Sequence, residues 1–225
     1  MPVGTREKIP VVRNFFITIT MKAVFAKKIA MSELFDQDGN VIPVTVLESP
    51  EMTVLQVKTK EKDGYGAVQF GIYEKKEKNI SRPLKGHFVA ARAKSAFVGE
   101  LPHEGEVRVG DKVGVSVFQE GEMVDISGKT KGRGFQGVVK RHGFGGGPRT
   151  HGQKHSEREP GSIGSVWPQR VLKGKRMAGR MGQNRVTVRN MAIVKIEPER
   201  CLMFVKGAVP GARGAILEVR QSRKK

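Results

Sequence analysis

Residues 125–165, DISGKTKGRGFQGVVKRHGFGGGPRTHGQKHSEREPGSIGS, set the tightest limit on what this 225-residue chain can fold into. Eleven of these 41 residues are Gly, eight are Lys or Arg and three are His. Only Ile126, Phe135, Val138, Val139, Phe144 and Ile163 are large and apolar. Ordering each residue costs about 1–2 kcal/mol of backbone entropy, whereas burial returns about 1.5–3 kcal/mol for each large apolar side chain. Six such side chains, scattered, fall short of ordering the stretch. It cannot build a core of its own, so it stays disordered or is ordered by something outside the domain. Arg, Lys, His and exposed Gly backbone suit phosphate, which makes a polyanion the natural partner.

The rest of the composition agrees. Lys plus Arg number 41 against 22 Asp plus Glu, a formal net charge of +19 and a pI near 10.3. That balance points to nucleic acid first and an anionic membrane surface second. The excess is concentrated: residues 125–189 hold fifteen Lys or Arg, 14 of the 28 Gly, and only three acids, Asp125, Glu157 and Glu159. With acids so scarce, an ordinary solvated face is a poor account, and repulsion among the cations disfavours a compact free form. Phe135, Phe144 and Trp167 are interleaved with the cations and can stack on bases or lie against sugars. Local packing on the β-domain is the competing account for Phe135, Val138 and Val139. The glycines let backbone N–H groups approach phosphate oxygens and permit positive-φ bends.

Outside the basic stretch the signals are strands. LFDQDGNVIPVTVLE reads as a hairpin turning at Asp38-Gly39-Asn40. MTVLQVKTKEKDGYGAVQFGIYEK repeats the scheme about a KEKDG turn. VGDKVGVSVF and EMVDIS give two more strands. RVTVRNMAIVKIEPERCLMFVKG reads as a hairpin turning at Glu197-Pro198-Glu199-Arg200, and AILEVR as a last strand. Helical periodicity is weak, with a turn or two expected at Ser95 to Leu101 and at Arg176 to Met181. Cys201, the only cysteine, forms no intramolecular disulfide and reads as a small buried hydrophobe in CLMFV. From Ile17 to Lys22 apolar and polar residues alternate, a half-buried strand pattern rather than a secretory apolar core. No run reaches the ~18 apolar residues of a membrane span. The organisation expected is an N-terminal extension (1–20), a β-barrel or sandwich from 21–124 and 186–222, a long arm inserted at 125–185, and a basic tail at 223–225.

Three kinds of chemistry lack support. The triplet Gly128-Lys129-Thr130 resembles part of a phosphate loop, but Met123 stands where that pattern requires Gly. His142, His151 and His155 have no zinc-ligand spacing and lie far from Cys201. Ser156 and Ser162 lack a nucleophile elbow. A chain without catalytic or metal signature is therefore expected, with no cofactor, no small-molecule substrate and no membrane partner.

Eight collinear motifs carry a resemblance. They are LFDQDGNVIPVTVLE (34–48), EKDGYGAVQFG (61–71), RPLKGHFVAA (82–91), DISGKTKGRGFQGVVKRHGF (125–144), PGSIGS (160–165), LKGKRMAGRMG (172–182), RVTVRNM (185–191) and VKGAVPG (205–211). Together they resemble the ribosomal protein L-three family of the large subunit, bacterial type, over about Met21 to Val219. The resemblance implies an all-β fold: a six-stranded barrel of the translation-protein type carrying a long, extended, irregular insertion. It implies no enzymatic activity, direct binding to large-subunit ribosomal RNA near its 3′ end, an early role in assembly, and an arm running towards the peptidyl transferase centre. It implies a cytoplasmic, ribosome-bound protein, with an organellar ribosome left open as the lesser alternative, and neighbours of the L-fourteen and L-nineteen families. A regulatory or chaperone-like RNA-binding protein acting off the ribosome is the alternative.

By that resemblance and the charge pattern, the RNA-binding residues are Lys129, Lys131, Arg133, Phe135, Lys140, Arg141, His142, Phe144, Arg149, His151, Lys154, His155, Arg158, Trp167, Arg170, Lys173, Lys175, Arg176, Arg180 and Arg185. Trp167 is the expected aromatic at the arm tip. Some relatives carry a methylated Gln directly after GSIG; Ser165 stands there in this chain, so that modification is not expected. Ala26 and Ala30 occupy usual Gly positions, where a different local turn is expected.

Overall fold

The computed structural model describes residues 22–102 and 107–222. The expectations for the N-terminal extension, the alternating run at 17–22 apart from Lys22, and the basic tail lie outside them. Contacts divide the described chain into two units, one over residues 51–113 and one formed by Ala23–Pro50 together with residues from Gly114 onward.

The second unit is a closed antiparallel barrel. Its strands are β1 (Ala23–Phe35), β2 (Val41–Glu48), β7 (Met123–Lys129), β10 (Arg185–Glu197), β11 (Leu202–Lys206) and β12 (Ile216–Gln221), in the order β1-β12-β7-β10-β11-β2. Closure leaves no free sheet edge. Alternation along the strands sends Val24, Ala26, Val44, Leu47, Val124, Ile126, Ile193, Met203, Val205, Leu217 and Val219 inward, each essentially inaccessible to solvent. Thr45 is equally buried and donates its hydroxyl hydrogen bond to the carbonyl of Gly207 at 2.6 Å, so its polar group is satisfied. The β1–β2 and β10–β11 hairpins are those read from the sequence. Asp36 donates to the Asn40 carbonyl across the first turn, and a 3-10 turn at Pro198–Arg200 makes the second. Ala26 and Ala30 lie within β1 rather than at a turn, and the β1–β2 register shifts between Lys28 and Ala30.

The other unit is a four-stranded antiparallel sheet in the order β5-β4-β3-β6, formed by β3 (Met52–Lys58), β4 (Ala67–Glu74), β5 (Ser95–Leu101) and β6 (Lys112–Val113). The KEKDG turn is one helical turn, α1 (Lys60–Asp63), stopped by Gly64 in the left-handed region. A second short helix, α2 (Arg82–Phe88), begins with Pro in its first turn and buries Phe88 against Leu55, Ile80 and Ala91. None of the barrel strands comes from 51–113, although the sequence reading placed the whole of 21–124 in one β-domain.

Four local readings need correction. Ser95 to Leu101 is not helical; it forms β5, which pairs along β4 from Val68↔Leu101 to Glu74↔Ser95. Arg176 to Met181 holds no helical turn, and its last three residues form β9 (Gly179–Met181). VGDKVGVSVF is not one strand: β6 covers two residues, and Val115–Val117 then wind into a 3-10 turn that buries Val115. Cys201 is half-buried and sits at φ +55°, where it ends the turn between β10 and β11, so it is not the core hydrophobe expected.

Candidate nucleic-acid interface

The basic segment leaves the barrel as a ribbon. At its base Lys129 of β7 stands opposite Arg185 of β10. Beyond them Thr130 donates to the Asn184 carbonyl at 3.0 Å, Gln183 to Thr130 at 3.1 Å and Arg133 to Met181 at 2.9 Å. β8 (Gly134–Gln136) then pairs with β9. Residues 125–129 and 185, basic-segment residues by composition, thus belong to barrel strands, and Ile126 is a core residue. GKT closes β7 and does not lead from a loop into a helix, so it has no phosphate-loop geometry.

The close approach of the outgoing and returning segments at the root depends on Gly182. It has φ +82°, and a Cβ there would run into the Lys131 carbonyl oxygen. A side chain is excluded on both counts. Above the ribbon, Gly137 and Gly143 bound a five-residue helix, α3 (Val138–His142). Val138 is buried, at 2% exposure, whereas Phe135 is 75% exposed. Arg141 and His142 reach the returning chain, both meeting the carbonyl of Met177, at 2.7 and 3.0 Å.

Further out, Gly147 donates to the Glu157 carbonyl and closes a loop whose basic residues are Arg149, His151, Lys154 and His155. Gly146, at φ +72°, passes so near that carbonyl that a Cβ would overlap it. From residue 158 to residue 176 every residue is exposed. Trp167, in a turn with a cis Trp167–Pro168 bond, is 82% exposed, and Val166 and Leu172 stand open beside it in sequence.

Of the twenty residues read as RNA-binding, seventeen are exposed; Arg141, His142 and Phe144 are half-buried near the root. Among the described residues only two of these cations meet a carboxylate. Arg149 Nε lies 2.6 Å from Glu157, and Arg185 pairs with the buried Glu218, which also pairs with Arg220. The other arm cations stand along the segment without an acid to neutralise them.

Sequence reasoning missed Lys28. It lies on β1, roughly a hundred residues before the arm, and its ammonium donates to the carbonyls of Val209 at 2.9 Å and Gly211 at 3.4 Å. Burial, and then the charge of Lys131, hold it below the usual lysine range. No local motif marks it; only barrel closure brings β1 to the root of the arm. There a cleft of about 690 Å³ is lined by Lys28, Lys131, Arg133, Arg141, His142 and Arg180, among others.

A closed six-stranded barrel with an acid-poor ribbon of cations defines the class: a small β-barrel protein that carries a long basic arm. The family model for ribosomal protein L3 matches residues 107–201. The chain is 48% identical over 207 residues to the large ribosomal subunit protein uL3 of Herpetosiphon aurantiacus, covering 91% of this chain and 98% of that one. It is 45% identical over 209 residues to uL3 of Finegoldia magna (91% and 99%) and 46% identical over 204 residues to uL3 of Streptococcus pyogenes (90% and 98%). The chain belongs to the ribosomal protein L3 family.

Proposed function

We propose that this protein is a structural constituent of the large ribosomal subunit that binds ribosomal RNA directly through its arm, and that it works as a scaffold without catalysis of its own. The observation that carries the reading is the row of exposed Lys and Arg along 130–184, of which only Arg149 has a carboxylate partner among the described residues. Such a row is electrostatically costly alone and favourable against a polyanion. Each contact with a phosphate releases condensed counterions, so binding weakens with salt by about 0.7–0.9 in log–log slope per contact. The glycines allow backbone to approach RNA closely, and Phe135 and Trp167 offer open aromatic faces for stacking.

The finer reading follows the family. The arm points towards the peptidyl transferase centre with Trp167 at its tip, the contacts lie near the 3′ end of the large-subunit RNA, and binding occurs early in assembly. The protein is cytoplasmic and ribosome-bound, beside members of the L-fourteen and L-nineteen families. Sucrose-gradient fractionation at high salt tests this reading. Stoichiometric recovery in large subunits supports it; recovery only in free, non-ribosomal fractions overturns it in favour of an off-ribosome RNA-binding protein.

A further inference from the structure

We propose that the cleft at the root of the arm is a pocket for the phosphodiester backbone of RNA, and that Lys28 of the barrel wall is one of the residues that hold it. The proposal rests on the reading of the protein as an RNA-binding one and assigns a place within it. Five basic side chains, Lys28, Lys131, Arg133, Arg141 and Arg180, converge there with His142, and no carboxylate lines the cleft. Two are positioned by neutral oxygens: Lys28 by the carbonyls of Val209 and Gly211, Arg141 by that of Met177. A carbonyl fixes the geometry of a cation and leaves its full charge in place, whereas a carboxylate would cancel it. Lys58, in the other unit, shows the contrast, because its ammonium lies 2.6 Å from Glu100.

Fixed, uncancelled like charges around a partly enclosed space raise its potential and favour an anion. The volume, about 690 Å³, falls within the range of roughly 300–1,000 Å³ usual for ligand sites and exceeds what one phosphate fills. Met181, Val186 and Val209 supply uncharged wall, and Thr130 and Asn184 supply polar groups at hand for sugar hydroxyls. The occupant this suits is a short run of backbone, with phosphates on the cations and sugars against the wall.

The test uses the full-length protein and a transcript of the 3′ domain of large-subunit ribosomal RNA, with Kd measured across a salt series. Lys28→Gln and Arg133→Gln should each reduce the salt slope by about 0.7–0.9. Lys173→Gln, on the arm away from the cleft, reports on the arm alone. Unchanged slopes for both cleft variants, with a reduced slope for Lys173→Gln, overturn the pocket and leave RNA binding standing. Failure of the unmodified protein to bind the transcript overturns both. Circular dichroism checks folding. If Lys28→Gln is unfolded, Arg133→Gln decides, since the Arg133 guanidinium makes no bond among those described. A parallel titration with pyrophosphate separates sources: tight pyrophosphate binding that the cleft variants abolish, with RNA affinity untouched, reassigns the cleft to a free phosphate compound and sinks the RNA assignment.

Discussion

The Arg141 guanidinium donates to the Met177 carbonyl at 2.7 Å across 36 residues of chain, and lies so close to Gly179 that a Cβ there would come within 2.6 Å of it. The outgoing and returning halves of the arm are thus clasped above the β8–β9 ribbon. Arg141→Ala removes the clasp and leaves the barrel alone. We expect limited proteolysis of the free protein between residues 143 and 176 to speed up several-fold, with the barrel's thermal midpoint nearly unchanged. Gly179→Ala should act through the same contact, so the double variant should be no more sensitive than the worse single one. Additive sensitivities would mean that the two residues act separately.

Gly182 makes a sharper prediction. Alanine there is strained at φ +82° and collides with the Lys131 carbonyl, so the cost should be about 1–3 kcal/mol at the root. Hydrogen exchange reads it directly. The amides of Arg133 and Gln183, which bond across the root, should lose protection, while amides of the β1–β2 pair keep theirs. Equal loss at both places would show that the root and barrel are one cooperative unit.

Glu218 is the one buried acid among the described residues, and it meets both Arg185 and Arg220. Glu218→Ala leaves half-buried Arg220 without its counter-charge, which should destabilise the barrel by about 1–3 kcal/mol in urea unfolding. It also bears on RNA. Because Arg185 is shared with Glu218, Arg185→Gln should change the salt slope less than Lys173→Gln does. A full phosphate's worth of slope lost at Arg185 would show that RNA displaces the carboxylate.

How far the sequence could be read follows from the range of the forces involved. The barrel hairpins were legible because β-alternation and turn chemistry are both local, as at Asp38-Gly39-Asn40 and Pro198. β5 was not: Ala96, Glu100 and Leu101 are helix formers, and only pairing with β4 overrides them. α2 was missed for the opposite reason, since Pro83 and Gly86 weaken the local signal and burial of Phe88 supplies the stability. The arm's cations were legible from composition, whereas its clasped root was not. The arm was expected to lack any shape of its own, yet main-chain bonds at its root and the single buried Val138 give that end a defined path. Lys28 shows the limit best, because its role depends on a closure that joins β1 to β12.

Acid should weaken the unit over 51–113 through Glu100. Glu100 receives hydrogen bonds from Lys58 at 2.6 Å, Tyr65 at 2.9 Å and Gln69 at 3.3 Å. The Lys58 bond, chiefly, holds its carboxyl below the usual range, against a smaller opposing effect of burial. A carboxyl depressed in the folded state adds stability that is present above its unfolded pKa, about 4.3, and is lost as pH falls through the lower folded value. The contribution is modest because the group is largely solvated. Stability of this unit, followed through hydrogen exchange of the β4–β5 amides, should therefore fall as pH drops from about 5 towards 3, and Glu100→Gln should flatten that fall while lowering stability at pH 7. Lys58→Gln should flatten it as well, since it removes the partner that depresses the carboxyl. A pH profile in Glu100→Gln as steep as in the unmodified protein would assign the acid sensitivity to other carboxylates.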